Sequence, residues 1–175
     1  MSLSRLTIII PTFYPGRIIK KCLASLPPVS EIIIIDNGED LELEKIIKLQ
    51  KFGIKHYKVG DIGLSKSFNI ALEKSKNENI LITQPDVYFE KNSILNLIKA
   101  QKKYKNAAII SPLLFEKKKY SQYDHLDLSL SKLGNLENIK KQKKINILPS
   151  GDICVEAVNA TAMLIKKSII KKING

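Results

Sequence analysis

The chain has 175 residues, 44% hydrophobic and 26% charged, with a formal net charge of +12. That length and balance suit one soluble globular domain, and no apolar run approaches the roughly 20 residues that cross a bilayer. Two cysteines, Cys22 and Cys154, lie too far apart for a disulfide framework or a zinc motif and read as small buried hydrophobes in a reducing cytoplasm.

Met1 to Ser4 reads as a disordered start or cloning remnant, with no secretory leader. Leu6 to Ile10 is a β-branched run ending at Pro11-Thr12-Phe13, which predicts an interior, parallel strand. Ile18, Ile19, Cys22, Leu23 and Leu26 repeat at helical spacing until Pro27-Pro28 stops the helix. Ile32 to Ile35 predicts a second buried strand, ending in Asp36-Asn37-Gly38. An amphipathic helix around Leu43, Ile46 and Ile47 follows and closes near Gly53. Ile54 to Val59 alternates as a third strand. Gly60 to Gly63 then turns the chain into a helix with Leu64, Phe68, Ala71 and Leu72 on one side.

Ile80 to Ile82 is an apolar run too short for a helix, and it ends at Gln84-Pro85-Asp86. Proline there stops ladder pairing and holds the preceding residue extended. A carboxylate is thereby set at the carboxyl end of a strand, where open α/β sheets bind ligands and where it suits a divalent cation that holds phosphates. The competing reading of Asp86 is a turn residue that caps the next helix. That helix is predicted over Ser93 to Tyr104, followed by a short fifth strand over Ala107 to Ile110. From Glu116 to Pro149 the pattern dissolves into lysine, serine and asparagine, read as a mobile insertion over the rim with one short helix. Order returns over Ile153 to Ile165, and a basic helix runs from Lys167 to Asn174-Gly175.

The alternation of strand and helix predicts an α/β fold, a doubly wound, mostly parallel, Rossmann-like sheet flanked by helices. Right-handed crossovers bring the strand ends to one rim. Three of those ends carry an acid or amide: Asp36 with Asn37, Asp61, and Gln84 with Asp86. The positive surplus is nearly all scattered lysine, and few aromatics interleave Lys117 to Lys119 or Lys140 to Lys144. No nucleic-acid partner is expected, and an anionic membrane surface competes with plain compositional bias.

In this order the segments resemble the family-2 glycosyltransferases, with their A-type nucleotide-diphospho-sugar transferase fold, over nearly the whole chain. The resemblance rests on Thr7 to Phe13, Ile35 to Gly38, Gly63 to Asn69, Gln84 to Val87 in the place of the Asp-X-Asp motif, and Val158 to Leu164. It implies a single glycosyltransferase domain over 1–175 that transfers a sugar, with inversion, from a nucleotide-diphosphate donor to a glycan or lipid-linked acceptor. Pro11, Thr12 and Phe13 would line the nucleotide slot, Asp36 would accept from the pyrimidine, and Lys66 and Gln84 would complete the site. Asp86 would hold Mg or Mn together with the donor, and Ala160 and Thr161 would lie on the acceptor side. Lys66 as an ordinary first-turn lysine, Asp36 as a turn residue and Thr161 as packed strand remain open readings.

Gln84 replaces the family's leading aspartate and brings no charge toward a cation. The Pro-Asp variant resembles that of rhamnosyltransferase-like members and points to a dTDP-type donor, beside the UDP type the family also implies. The resemblance implies a general base beyond Gly175, so the chain reads as truncated against the family pattern. His56, within a strand, and His125, within the loose segment, are not substitutes. A cytoplasmic protein, peripheral to the inner face of the membrane, is expected. The alternative is a non-catalytic nucleotide-sugar-binding or interaction module of the same fold.

Overall fold

A computed structural model of the chain describes residues 3–29, 31–50, 53–115, 123–124, 128–130, 136–138, 151–155, 157–158 and 160–174. The chain divides into two compact units, one of residues 1–110 with 160–175 and one of residues 111–159.

In the first unit, β1 (Leu6–Thr12) leads through a 3-10 turn at Gly16–Ile18 into α1 (Ile19–Ser25). β2 (Glu31–Asp36), α2 (Leu41–Lys48), β3 (Ile54–Lys58), α3 (Leu64–Lys74), β4 (Asn79–Thr83), α4 (Ser93–Lys103) and β5 (Ile109–Ile110) follow. In the second unit, β6 (Leu114–Phe115) pairs antiparallel with β7 (Tyr123–Asp124), and β8 (Leu128–Leu130) with β9 (Leu136–Asn138). Back in the first unit, β10 (Ala162–Lys166) runs directly into α5 (Lys167–Lys172).

The main sheet has the order β3-β2-β1-β4-β10-β5. β1 pairs parallel with both β2 and β4, and β2 pairs parallel with β3. β10 alone runs the other way, antiparallel to β4 and to β5. Every residue of β1 and β2 is buried, which matches strands covered on both faces and explains their unbroken Ile runs.

One face packs Ile9, Ile33, Ile35, Ile80, Ile82 and Ile165 against Ala71 and Leu72 of α3 and Ile170 of α5. The intervening strand residues Ile8, Ile10, Ile32, Ile34 and Leu81 are buried too and alternate to the opposite face. The chain steps outward from β1 to β2 to β3, then returns past β1 to form β4. With right-handed crossovers, that reversal moves α3 to the other side from α1 and α2. The switch point of the topology therefore lies between β1 and β4, where such sheets open a crevice at their carboxyl ends.

Three expectations change. The fifth strand is confined to Ile109–Ile110, because the Ala107 amide still closes a turn onto the Tyr104 carbonyl at 3.1 Å. Within the stretch expected to regain order from Ile153, the last strand starts only at Ala162, since β4 offers β10 only the partners Asn79 to Thr83. Cys22 is buried on α1, but Cys154 is exposed. Most of the stretch expected as a mobile insertion, including His125, Leu126, Leu133 and the basic runs, lies outside the described residues.

Candidate functional site

The site is built on the carboxyl ends of the parallel strands. At the end of β1 the Thr12 carbonyl accepts from the Asn37 backbone amide at 2.9 Å and from its side-chain Nδ2 at 3.2 Å. This locks the tip of β1 to that of β2 and aims the Asn37 amide nitrogen toward Thr12. Its oxygen then faces α3, where the buried Ser67 hydroxyl lies 2.8 Å away. Ser67 lies equally close to the Gly63 carbonyl, so its one proton is shared between two acceptors.

Gly63, at φ +79°, makes the turn that starts α3, a conformation L side chains rarely adopt. Gly38 serves by its size. A Cβ there would meet the Tyr14 ring and the Tyr14 backbone nitrogen, each at 3.0 Å.

Pro11, Thr12, Phe13, Asn37, Asp61, Gly63 and Leu64 line a cleft of about 250 Å³. That is below the roughly 300–1,000 Å³ that encloses a drug-sized ligand, so the cleft takes part of a molecule. Its apolar wall is unusually bare, with Phe13 59% and Leu64 49% exposed. Phe13 stands edge-on to Tyr14, ring centroids 4.9 Å apart. A flat ring inserted here would cover apolar surface that is now in water.

Asp36 is not part of this wall. Its side chain is wholly buried, and both oxygens are engaged within the protein. Oδ1 accepts from the Gly38 amide at 3.1 Å, and Oδ2 from the Asp40 amide at 2.9 Å with His56 Nε2 at 3.1 Å. Asp36 therefore ties the β2–α2 loop to β3, and its neighbour Asn37, 8% exposed, is the residue that reaches the cleft. The base contact expected of Asp36 would have to use the one acceptor site these three bonds leave on its carboxylate. Once the ladder ends, a turn and not strand alternation decides which side chain faces the rim.

On the other side of β1, Gln84-Pro85-Asp86-Val87 forms a turn closed by the Val87 amide on the Gln84 carbonyl at 3.3 Å. α1 braces it. Cys22 Sγ donates to the Gln84 carbonyl at 3.7 Å, and the Phe89 amide donates to Ser25 Oγ at 3.0 Å. Burial, and secondarily the charge of Asp86, pushes the Cys22 thiol up to about 12, so this thiol stays protonated.

Gln84 is half-buried, as is Pro85, and Asp86 stands at the surface of the turn. No group of three acidic, histidine or cysteine side chains converges to hold a metal among the described residues. A cation at Asp86 would need oxygens from a ligand, which fits a single carboxylate facing a diphosphate.

Because β10 is antiparallel, its beginning meets the end of β4. The Thr161 carbonyl accepts from the Gln84 amide at 3.3 Å and from Thr83 Oγ1 at 3.1 Å. Ala160 and Thr161 thus adjoin the Asp86 turn, while Lys66 is exposed on the first turn of α3, outside the cleft lining. Asn37 and Asp61 were named in the sequence reading as polar strand ends, whereas Leu64 and Ser67 escaped it as site residues. The one available signal was a serine at a core position of an amphipathic helix.

The sequence profile of glycosyl transferase family 2 matches residues 7–172. Among solved structures, S. aureus TarS 1-349 in complex with UDP-GlcNAc is similar, with a TM-score of 0.63 and 17% identity over 97% of this chain and 47% of that one. Without that ligand the same fragment gives 0.62 and 16% identity, over 97% of this chain and 49% of that one. A mannosyltransferase from Pyrobaculum calidifontis, PcManGT with GDP-Man and Mn2+, gives 0.50 and 18% identity over 55% of this chain and 32% of that one. The chain spans about half or less of the length of these proteins. No curated protein sequence matches it.

Proposed function

Because the chain belongs to glycosyl transferase family 2, we propose that it transfers a sugar from a nucleoside diphosphate donor, of UDP or dTDP type, to a glycan or lipid-linked acceptor. The observation that carries this is the switch point itself: an apolar-walled cleft on one side of β1 and the Asp86 turn on the other. Adjacent strands are roughly 4.8 Å apart, so the tips of β2 and β4 stand roughly 10 Å apart, a span suited to a base at one end and a diphosphate at the other.

In this reading the base slides between Phe13 and Leu64, with Pro11 and Thr12 beneath it and Asn37 at its polar edge. Gln84 hydrogen-bonds the ribose, Lys66 reaches the base or phosphates, and Asp36 acts indirectly by holding the loop that presents Asn37. Asp86 and donor oxygens together hold Mg or Mn. When bound, the ion offsets charge on the departing diphosphate. The acceptor lies over Ala160 and Thr161. Its hydroxyl oxygen bonds to the sugar carbon from the face opposite the leaving group, the bond to the diphosphate breaks, and the hydroxyl proton goes to a general base. The configuration at that carbon inverts.

Binding of UDP that requires Mg or Mn and is weakened by Asp86→Ala supports the site; wild-type protein that ignores UDP and dTDP removes it. Sugar transfer or donor hydrolysis then separates an enzyme from a binding module. No described helix is long and apolar enough to cross a membrane. We place the protein in the cytoplasm, with its lysine-rich surface drawn to anionic lipid. Salt-sensitive binding to anionic vesicles is expected, and indifference to them at low salt would reject this last point.

A further inference from the structure

We propose that the chain docks on anionic lipid through the floor of its main sheet, the end opposite the cleft, so that the rim faces away from the bilayer. This rests on the membrane reading above and assigns it to one surface.

Topology gathers that floor. Where parallel strands are joined by helices, each helix ends as the next strand begins, so helix carboxyl ends and strand amino ends share one side. α3 shows the polarity: it leaves Gly63 at the cleft and ends at Lys74, shortly before β4. Leu6 and Lys166 both pair with Asn79, which sets Arg5 and Lys166 at this end on either side of β4. Ile109 and Ile80 both pair with Ile165, so Lys105, four residues before Ile109, lies at this end too.

The charges divide along the strands. Arg5, Lys48, Lys74, Lys76 and Lys105 are exposed at the floor, with Lys166 half-buried beside them. None of Arg5, Lys74, Lys76 and Lys166 pairs with a carboxylate among the described residues. The acids here are mostly committed. Glu31 is buried and accepts from Thr7, Lys55 and the Lys76 amide, and Glu78 accepts from Ser168, which leaves Glu73 exposed. At the rim, Lys20, Lys21 and Lys66 are offset by Glu39, Asp40, Asp61 and Asp86.

Helix dipoles account for Lys48 and Lys74, since cations suit helix carboxyl ends. They do not account for Arg5, which precedes β1, or for Lys166, the N-cap of α5, where the dipole opposes a cation. Leu49, 79% exposed after the end of α2, adds an apolar tip to the floor. Lys103 lies over the Tyr104 ring at 4.7 Å and takes up aromatic surface on which a base would stack. Lipid headgroups fit this floor better than a single-stranded nucleic acid. The seven residues of β1, at roughly 3.3 Å each, hold the cleft roughly 20 Å clear of the headgroups.

The test is co-sedimentation of the full chain with phosphatidylcholine vesicles that contain phosphatidylglycerol, beside vesicles of phosphatidylcholine alone. The double variant Lys74→Gln, Lys76→Gln removes charge from the floor, and Lys20→Gln, Lys21→Gln removes the same charge from the rim end. A cation near an anionic surface is worth roughly fivefold in affinity, so the floor pair should weaken binding about 25-fold and the rim pair less than about threefold. Both should melt with the wild type. Arg5→Gln, remote from α3, should lose about fivefold by itself, and so keeps the test open if the α3 pair melts low. Equal losses from the floor and rim pairs, or an Arg5→Gln variant and a floor pair that bind as the wild type does, overturn the inference. So does single-stranded RNA that strips the wild-type chain from the vesicles, which would assign the floor to nucleic acid. Wild type that leaves the anionic vesicles unbound at low salt defeats the membrane reading itself.

Discussion

Replacing Asp36 with alanine should damage the fold before it damages the ligand site. The change leaves the Gly38 and Asp40 amides and His56 Nε2 facing a methyl group at a wholly buried position. Each abandoned buried donor costs roughly 1–3 kcal/mol. Loop amides near the rim regain some water, so about 3–5 kcal/mol is expected, the range for breaking a buried charged network. A domain of this size loses about 2–4 °C per kcal/mol, giving a fall of about 6–20 °C. Asp36→Asn keeps one accepting oxygen and should cost less, about 1–2 kcal/mol. Thermal melts followed by circular dichroism without nucleotide give the shift, and UDP titration well below the melt gives the affinity. A variant that melts with the wild type yet loses UDP would refute the reasoning, because the carboxylate would then face the ligand and not the loop.

Gly38→Ala should lower both the melting temperature and UDP affinity, because the Tyr14 backbone must shift to admit a methyl group; an unchanged melt would show that the loop yields freely. A thiol reagent should modify Cys154 quickly in the native protein and Cys22 only on unfolding, as the burial of one and exposure of the other require. The raised Cys22 pKa means the folded state keeps a proton that the unfolded state releases above about 9. Its stabilisation is complete below that pH and is lost as pH rises toward 12, so Cys22→Ala should flatten the alkaline limb of a stability profile. Glu31 behaves in the opposite sense. Burial pushes its carboxyl up, but hydrogen bonds from Lys55, Thr7 and the Lys76 amide outweigh burial and leave it lowered. Its stabilisation is present above the ordinary value of 4.5 and is lost as pH falls through the lower folded value. Glu31→Gln should therefore flatten the acid limb, and an unchanged limb would dissociate Glu31 from acid unfolding.

The strands of the main sheet were legible because their signal is local. Apolar–polar alternation was needed only for β3, Ile54–Lys58, at the edge of the sheet. Ile8 to Ile10, Ile32 to Ile35 and Ile80 to Ile82 are short apolar runs closed by Pro11, Asn37 and Pro85, and only a doubly covered sheet buries such runs. Their common rim followed from crossover handedness. What the sequence concealed was the direction of side chains just past the ladder. Asp36 and Asn37 are neighbours, and their roles divide according to bonds to Asp40, His56, Thr12 and Ser67, most of them distant along the chain. His56 looked like an ordinary strand residue for the same reason, since its partner lies 20 positions away. The start of β10 at Ala162 was equally hidden, because the length of β4 sets it.

The most direct check is a crystal of the chain grown with UDP and Mn2+. The account predicts electron density for the base between Phe13 and Leu64, and for the metal between Asp86 and the diphosphate. Nucleotide bound elsewhere, or a diphosphate seated beside Asp61 with Asp86 bare, would contradict it.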